Sequence, residues 1–415
     1  MMDTLTCAGP ELDRTVPALL VKVGHYPQHH GGLGVVRTLA RAGVPVYAMV
    51  EDRYTPVALS RYLAGRFVHP TSGLEPPEHL VSALLAIGRA IGRPAVAVPT
   101  DDEAAVLLAE HADRLAGSFL LPPVRAGLPR RLANKAGMYR ICRQYGVPTP
   151  RSCAPPDRAA LLELCRDWGY PLVLKNLEAY TRLRAPVVGH TTLVRDEDEL
   201  RAVVPRDGEI SVLAQEYLPP ESSQDWTTHL YCGAGGAVRV VFTGRKLRCW
   251  PPESGIASRA VAERDEQLAR LAAGLCRALG YSGAADLDWR LDLRDGRFKL
   301  VDFNPRTGAQ FRAFENLRGV DVVRAMHLDL TGRRVEAAGQ LTSRTFVVGQ
   351  LDLPSALDWA RVHRRLPPAV LPHRGIERSW LHADDPLPAA AEAVRFTGLV
   401  ARRLAGAMCS RAGRS

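Results

Sequence analysis

Lysine is scarce in this chain. Only five of its 415 residues are lysines, although lysine and arginine together number 54; the five are Lys22, Lys135, Lys175, Lys246 and Lys299. Arginine therefore supplies nearly all of the basic charge. A lysine ammonium is more compact than a planar guanidinium and reaches into narrower sites. A lysine retained in such a chain therefore indicates a position where arginine will not substitute.

Other signals are absent as well. The eight cysteines are widely spaced and include no C-x-x-C pair, which predicts reduced structural thiols in a cytosolic protein. No basic-then-apolar leader opens the chain, and no apolar run approaches the length that spans a membrane. These absences predict a cytoplasmic protein without membrane attachment.

The charge pattern gives no sign of a nucleic-acid partner. The formal net charge is +10, but the arginines are scattered and interleaved with acidic residues, and no basic stripe carries stacking aromatics. Nucleic-acid binding is therefore not expected. The apolar and charged fractions are those of a globular protein, and the length predicts two or three domains.

The first segment has the pattern of an α/β domain. A strand at Ala18–Val23, a helix at Leu33–Ala42 and a strand at Val44–Val50 form a β-α-β opening. Further strands are predicted at 66–69, 95–99 and 119–121, with helices at 78–91 and 102–111. A proline-rich break at 121–123 then predicts a domain boundary.

Three glycines precede the first predicted helix. Gly31, Gly32 and Gly34 could cradle a phosphate at a helix N-terminus, form a plain tight turn or contact a substrate carboxylate. Their spacing is not G-x-G-x-x-G. A dinucleotide-dependent oxidoreductase is accordingly disfavoured, since its fingerprint is missing.

The most informative stretch is a predicted β-hairpin. Two alternating runs, Ala285–Leu293 and Phe298–Arg306, flank a short Asp-Gly turn. Asp302, Asn304 and Arg306 fall on one face of the second strand, and across the turn Asp286 or Asp288 can face the same way. Clustered carboxylates repel unless a cation lies between them, so the pattern predicts Mg²⁺. An exposed hairpin with a charged solvent face is the alternative interpretation.

Two upstream lysines and the end of one upstream strand are further candidates for this site. Lys135 lies in the first turn of a predicted helix at Ala133–Gln144, and Lys175 ends the strand Leu172–Lys175. The strand Val212–Leu218 stops at a Pro-Pro pair, which leaves backbone donors and acceptors for an adenine. A surface location remains the alternative for both lysines.

Later elements are predicted from local pattern alone. Gly244–Lys246 leads into Leu247–Trp250, Ser254–Arg259 is interpreted as a connection or a carboxylate-binding loop, and Ala260–Leu279 as one long amphipathic helix. Near the end, a strand is predicted at Thr345–Gln350 and a helix at Ala389–Ala407. No recognisable chemistry is predicted for this tail.

In their order along the chain, these features resemble the ATP-grasp superfamily, in particular carboxylate–amine ligases. The residues that carry the resemblance span about half of the chain: Lys135, Val147-Pro148-Thr149-Pro150, Lys175, Gln215-Glu216-Tyr217-Leu218, Asp225, Asp288 and Asp302-x-Asn304-Pro305-Arg306. The resemblance implies a mixed α/β and α+β architecture in three parts. These are a Rossmann-like pre-ATP-grasp domain at 1–122, a two-subdomain ATP-grasp fold at 123–335 and a C-terminal extension at 336–415.

The resemblance also implies roles for individual residues. It places ATP-binding functions on Lys135, Lys175, Gln215, Glu216, Tyr217, Leu218 and Asp225, metal-binding functions on Asp288, Asp302 and Asn304, and catalytic functions on Arg306 and on Lys246 or Arg245. Asp replaces the more usual Glu at both Asp288 and Asp302, and Asp286 competes with Asp288. The phosphate-covering loop is expected near Thr181–His190.

The implied activity is amide-bond formation that depends on ATP and Mg²⁺. A carboxylate, of an amino acid or a peptide, would attack the γ-phosphate to give an acylphosphate, and an amine would then displace phosphate. The implied partners are small-molecule carboxylate and amine substrates. Whether the chain forms a homodimer is left open by the sequence. The competing hypothesis is a catalytically silent ATP-binding regulatory protein of the same fold.

Overall fold

A computed structural model describes residues 9–26, 29–178, 184–189, 191–252, 255–364, 367 and 375–412. Three β-sheets organise these residues. One is wholly parallel and the other two are largely antiparallel. The mixed α/β and α+β architecture expected from the sequence is thereby confirmed.

The N-terminal sheet is parallel and confirms the predicted β-α-β opening. Its strands are β1 (Ala18–Val21), β2 (Val46–Val50), β3 (Leu63–Val68), β4 (Ala95–Pro99) and β5 (Phe119–Leu120), in the order β3-β2-β1-β4-β5. Its helices are α1 (His30–Ala40), α2 (Pro77–Ile91), α3 (Asp102–Glu110) and α4 (Ala112–Leu115). Asp101 caps α3 by accepting a hydrogen bond from the Ala104 amide at 2.7 Å.

A small antiparallel sheet follows two short helices, α5 (Leu128–Ala133) and α6 (Lys135–Gln144). Its strands are β6 (Ser152–Cys153), β7 (Leu172–Asn176), β8 (Thr192–Val194) and β9 (Val212–Glu216), in the order β6-β9-β7-β8. Helices α7 (Arg158–Trp168) and α8 (Glu197–Val203) belong to this unit. Buried side chains of these strands and helices form a separate apolar core.

The third sheet has seven strands and is antiparallel except for its last pair. The strands are β10 (Ser223–Cys232), β11 (Val238–Trp250), β12 (Ile256–Ala262), β13 (Gly283–Asp292), β14 (Arg297–Asn304), β15 (Thr345–Val347) and β16 (Ile376–Arg378), in the order β14-β13-β10-β11-β12-β15-β16. The remaining helices are α9 (Glu266–Leu279), α10 (Val322–Leu330), α11 (Gly349–His363) and α12 (Leu387–Ala412). Short 3-10 turns lie at Val57–Leu59, Pro220–Ser222, Ala234–Gly236 and Phe311–Ala313.

Two local predictions in the large sheet were wrong. The helix predicted from Ala260 begins at Glu266, because 256–262 pair with β11 and β15 as a strand. The strand predicted at Thr345–Gln350 ends at Val347, since α11 begins two residues later. Strand pairing overrode local propensity in the first case.

The hairpin predicted from the sequence is present as β13 and β14, but its alternation is not strict. Asp288 is opposite Asp302, whereas Trp289 is opposite Leu300, so Val301 is an extra residue in the second strand. This β-bulge lets both Leu300 and Phe303 be fully buried. Strict alternation would have placed them on opposite faces.

Two predictions based on absent motifs can be compared with the structure. The six cysteines whose side chains are described form no disulfide; they are Cys142, Cys153, Cys165, Cys232, Cys249 and Cys276. Among the described residues, no helix is long and apolar enough to cross a membrane.

The C-terminal segment is tied to the N-terminal sheet by a buried ion pair. Arg37 of α1 donates from Nε to Asp385 Oδ2 at 2.9 Å, and both side chains are at most 2% exposed. Asp385 also accepts from Ser60 Oγ at 2.8 Å and from the Arg61 amide at 3.0 Å. Removing this carboxylate would leave a buried guanidinium without its charge partner.

We therefore expect Asp385→Ala to lower the free energy of unfolding by about 3–5 kcal/mol, measured by urea denaturation. The adjacent Asp384 makes an ion pair with Arg41 at 2.8 Å, but its side chain is 46% exposed. Asp384→Ala is the matched control and should cost no more than about 1 kcal/mol. Equal effects of the two substitutions would contradict the anchoring role of Asp385.

Candidate active site

A cleft lies between the four-stranded and the seven-stranded sheet. Strands β7 and β9 provide one wall, and strands β10, β11, β13 and β14 provide the other. The residues predicted for the site that line this cleft are Lys175, Gln215, Glu216, Tyr217, Leu218, Asp225, Lys246, Asp288 and Asp302. The fold thus brings together residues that are separated by up to 127 positions in sequence.

Two carboxylates and two lysines meet at the hairpin. Asp288 and Asp302 are directly opposite each other across β13 and β14. Lys246 Nζ lies 2.5 Å from Asp288 Oδ1, and Lys135 Nζ forms an ion pair with Asp302 Oδ1. Each carboxylate therefore has its own cation. Burial raises the pKa of the Asp288 carboxyl, and the charge of Lys246 opposes this shift.

Lys175 reaches the same place from the opposite wall. Its ammonium donates to the carbonyl oxygen of Val301 at 3.1 Å. Val301 is the extra residue of the β-bulge. Lys175 is 9% exposed. Burial lowers the pKa of Lys175 to about 8, although the Asp302 carboxylate partly opposes this effect. A surface location, the alternative reading of the sequence, is thus excluded for this lysine.

Lys135 is positioned by the start of α6. The Asn134 side chain caps this helix by accepting a hydrogen bond from the Gly137 amide at 2.7 Å. The Lys135 amide itself donates to the Leu177 carbonyl, just beyond β7, at 2.8 Å. These bonds fix the helix start against the small sheet and direct the Lys135 side chain to Asp302.

Lys246 and Arg245 point in different directions, as neighbours in a strand must. Lys246 lines the cleft, whereas Arg245 donates to Glu263 at 3.1 Å and does not line it. Burial opposes the positive charge of Lys246, but Asp288 and Asp286 outweigh it and raise its pKa. Of the two cations left open by the sequence, only Lys246 is in the cleft.

Asp286 has a different environment from Asp288. Its Oδ2 lies 3.0 Å from Arg306 Nη1, and its Oδ1 accepts from Thr227 Oγ1 at 3.1 Å. His229 Nδ1 lies 3.3 Å away. Burial opposes ionisation of Asp286, but His229 and Arg306 outweigh it and lower its pKa. Asp286 therefore orients Arg306, and Asp288 is the carboxylate opposite Asp302.

Arg306 connects the hairpin to the N-terminal sheet. Its Nε lies 3.4 Å from Asp102 Oδ1, at the start of α3. Burial opposes its positive charge, but Asp102 and Asp286 outweigh burial and raise its pKa. No pattern around Asp102 distinguished it in the sequence from an ordinary first-turn acid of a helix.

The segment predicted to receive adenine lines the cleft, but its backbone is only partly open. The Glu216 amide donates to the Arg151 carbonyl at 2.8 Å, and the Leu218 carbonyl accepts from Arg290 at 2.7 Å. β9 ends at Glu216, two residues earlier than expected. Gln215 is buried and donates to Ser152 Oγ at 3.0 Å.

Asp225 is held by Arg290, which was missed in the sequence. Arg290 Nε donates to Asp225 Oδ1 at 2.7 Å, and the two residues are opposite each other in β10 and β13. Arg290 falls two residues after Asp288, so the alternation Asp286, Asp288, Arg290 was a signal that could have revealed it. Cys249 also lines the cleft without having been predicted.

The donor set of the hairpin suits Mg²⁺. Mg²⁺ in proteins is held by one or two carboxylates, with water and phosphate oxygens completing its shell. Asp288 and Asp302 offer two carboxylates at one place. Asn304, opposite Asp286, donates from its amide nitrogen to the Asp286 carbonyl at 3.1 Å, which leaves its side-chain oxygen as the potential ligand. No third acidic, histidine or cysteine side chain converges there in the described part of the chain.

Two further sequence predictions concern the glycines before the first helix and the phosphate-covering loop. Gly31 and Gly32 lie inside α1 rather than in a turn, and a Cβ on Gly31 would be 3.2 Å from Ala309 Cα. Gly34 also lies inside α1, and a Cβ there would be 2.9 Å from Arg312 Cγ, so Gly31 and Gly34 allow α1 to approach the segment after Arg306. The predicted phosphate-covering loop at Thr181–His190 lies partly outside the described residues, as does Ser254 of the predicted 254–259 connection.

No family model matches the chain. Among curated proteins, it is 24% identical to D-aspartate ligase of Enterococcus faecium over 234 residues, which cover 54% of this chain and 55% of that one. It is 24% identical to biotin carboxylase of Allochromatium vinosum over 253 residues, covering 54% of this chain and 51% of the relative. The chain thus spans about half the length of these relatives.

Solved structures show the same architecture. N5-carboxyaminoimidazole synthetase of Staphylococcus aureus, complexed with ADP, aligns with a TM-score of 0.60, 11% identity and coverage of 85% of this chain and 88% of that chain. L-amino acid ligase of Bacillus licheniformis aligns with a TM-score of 0.56, 16% identity and coverage of 77% and 75%. The chain shares the fold of these structures, and the similarities confirm the resemblance to the ATP-grasp superfamily that the sequence indicates. Within it, the chain resembles ligases that act on carboxylates and amines.

The lysine environments can be tested directly, because five lysines give a simple spectrum. In ¹³C-lysine NMR, we expect the ε-methylene of Lys175 to titrate near pH 8. Lys299 is the control, since its hydrogen bond to Asp292 outweighs burial and raises its pKa. Lys175→Met assigns the resonance. If all five signals titrate together at high pH, Lys175 is not buried as described.

Proposed function

We propose that this protein is an ATP- and Mg²⁺-dependent ligase that joins a carboxylate, of an amino acid or a peptide, to an amine. The observation that carries the proposal is the convergence of Lys135, Lys175 and Lys246 on the paired carboxylates Asp288 and Asp302 in one cleft. Three structural neighbours were solved with ADP, one of them with the magnesium salt of ADP. D-aspartate ligase and L-amino acid ligase among the similar proteins support an amino-acid substrate.

The cleft offers separate places for the parts of ATP. Gln215–Leu218 would receive the adenine, and Asp225, fixed by Arg290, would bind the ribose hydroxyls. Lys135 and Lys175 would contact the phosphates. Their ammonium groups lie against Asp302 and the Val301 carbonyl, next to the position of the metal. A compact ammonium suits this narrow site better than a guanidinium.

Asp288, Asp302 and Asn304 would hold Mg²⁺, which supplies Lewis-acid stabilisation of phosphate charge when bound. The protein's own contribution is positioning and positive charge. Arg306 and Lys246, both with raised pKa, remain protonated throughout the physiological pH range and would stabilise charge on the transferred phosphoryl group. The substrate carboxylate would form an acylphosphate, and the amine would displace inorganic phosphate from it.

The first test is turnover. The purified protein is incubated with MgATP and mixtures of amino acids, while phosphate release is measured and new amides are detected by mass. We expect Lys175→Ala and Asp302→Ala to reduce turnover by at least about a hundredfold, while circular dichroism shows that both variants remain folded. Arg297→Ala, on the exposed end of the same hairpin, is the matched control and should retain activity.

Absence of any Mg²⁺-dependent ATP affinity in the wild-type protein would overturn the ligase proposal. Tight MgATP binding without turnover for any carboxylate and amine would instead support the silent regulatory protein. The intact set of lysines and carboxylates favours the enzyme, since a protein that no longer turns over ATP has no need to keep all of them.

The second test separates the two neighbouring carboxylates. We expect Asp288→Asn to raise the Mg²⁺ concentration needed for half-maximal activity by about tenfold or more, because a metal ligand is lost. Asp286→Asn should lower kcat with little change in that Mg²⁺ concentration, because it releases Arg306. Mg²⁺ titrations of both variants at saturating ATP decide the assignment. The reverse pattern would make Asp286 the metal ligand.

A further inference from the structure

A pocket of about 420 Å³ lies in the C-terminal segment, beside the parallel strand pair that ends the large sheet. Its wall consists of the end of β15 with the start of α11, the residues around the end of β16, and the first turns of α12. We call it the C-terminal pocket. It shares no lining residue with the cleft described above. Its volume falls in the range of about 300–1,000 Å³ that is usual for small-molecule sites.

Three residues of the C-terminal pocket carry buried polar atoms that have no hydrogen-bond partner in the described part of the chain. These atoms are Ser379 Oγ, Trp380 Nε1 and Glu392 Oε2. The three residues are 6%, 6% and 4% exposed, respectively. Buried polar groups in folded proteins are nearly always hydrogen-bonded, because an unpaired group loses its bonds to water without replacement. Three such atoms around one pocket therefore indicate that a polar ligand completes it.

Hydrogen-bond donors for this ligand come from the start of α11. The helix begins at Gly349, and Gly349 and Gln350 both line the pocket. As the first two residues of a helix, they have amides with no acceptor inside it, and such amides favour negative charge. The indole N–H of Trp380 is a further donor, and the exposed Arg378 adds positive charge to the wall. This side of the pocket suits a carboxylate.

The opposite requirement comes from Glu392 on α12. Its Oε1 accepts from Gln350 Nε2 at 3.0 Å, whereas its Oε2 is unpaired. The nearby Arg395 is 38% exposed and lies 3.3 Å from Asp52. Burial raises the pKa of Glu392 to about 7, although the hydrogen bond from Gln350 opposes this shift. A carboxylate destabilised by burial is stabilised strongly by an adjacent cation, so this side of the pocket suits an ammonium group.

A ligand with a single charge would match only half of this arrangement. An anion would be repelled by Glu392, and a cation would meet the start of α11 and Arg378. A molecule that carries both charges close together satisfies both sides. The rest of the wall is apolar and suits an attached hydrocarbon side chain. It comprises Val347, Leu381, Ala389, Ala393 and Phe396.

We propose that the C-terminal pocket binds an α-amino acid with an apolar side chain. Its carboxylate would face the start of α11 and Trp380, and its ammonium group would face Glu392 and Ser379. The C-terminal segment, for which no chemistry was predicted, then forms a ligand site of its own. This inference does not depend on nucleotide binding in the cleft, and the site is separate from the place where the ligase reaction is proposed.

The test is calorimetric titration of the full chain with valine, leucine, methionine and phenylalanine, without nucleotide. We expect at least one of them to bind, and its N-acetyl and amide derivatives to bind about tenfold or more weakly, since each lacks one charge. Glu392→Gln should weaken binding by a similar factor. Glu78→Gln is the matched control and should not change binding, because Glu78 lies in an exposed ion pair with Arg114 and does not line the pocket.

The same titration at two pH values tests the contact with Glu392. An ammonium group is attracted by the ionised carboxylate, which is lost on acidification through about pH 7. Affinity should therefore fall by up to about tenfold from pH 8 to pH 6. The other charged groups around Glu392 are Arg378 and Arg395, and arginine does not titrate in this range. Glu392→Gln should abolish the pH dependence, and a pH dependence that persists in this variant would contradict the contact.

MgADP affinity is measured on the same samples and should stay within about twofold in every variant. If MgADP binds but none of the four amino acids binds at millimolar concentration, the pocket proposal fails while the ligase proposal stands. Amino-acid affinity that is unchanged in Glu392→Gln would also overturn it. If Glu392→Gln does not fold, Ala393→Phe decides, because this residue is exposed and the added ring would occupy the pocket. Binding retained in Ala393→Phe would place the amino acid elsewhere and overturn the proposal.

Discussion

The arrangement of charge at the hairpin is the constraint on which the rest of the cleft depends. Asp288 and Asp302 are held side by side by the register of β13 and β14, and two carboxylates so placed repel each other. Lys246 comes from the same sheet, and Lys135 comes from a helix whose apolar side chains pack into the core of that sheet. Lys175 reaches the same place from the small sheet and donates to the Val301 carbonyl, so the two walls of the cleft meet at the hairpin.

Pairing of opposite charges also connects the hairpin to the N-terminal sheet. Arg306 lies between Asp286 of the large sheet and Asp102 of α3, so its position depends on the packing of both units. The glycines of α1 permit the close approach that this packing requires, with the segment after Arg306 lying against them. Arg37 and Asp385 then fasten the C-terminal segment to the same unit. Distant parts of the chain therefore cooperate to place a few charged groups.

Prediction from sequence succeeded where the signal was local. The β-α-β opening, the hairpin with its Asp-Gly turn and the helix that starts near Lys135 all follow from patterns within one continuous stretch of the chain. It failed where pairing was non-local. Ala260–Ala262 were predicted to begin a helix, yet they belong to a strand that lies between two others, which supply hydrogen bonds on both sides. The bulge at Val301 was likewise invisible, because only the partner strand reveals which residue is extra.

The sequence by itself determined which groups were available for chemistry: a few retained lysines, alternating acids on a hairpin and the order of the landmarks that resemble the ATP-grasp superfamily. The tertiary structure alone decided which of them meet. It separated Asp286 from Asp288, Lys246 from Arg245, and brought in Arg290 and Asp102 as partners. The physical reason is that side-chain type and periodicity are encoded locally, whereas distances between charges depend on how separate sheets pack together.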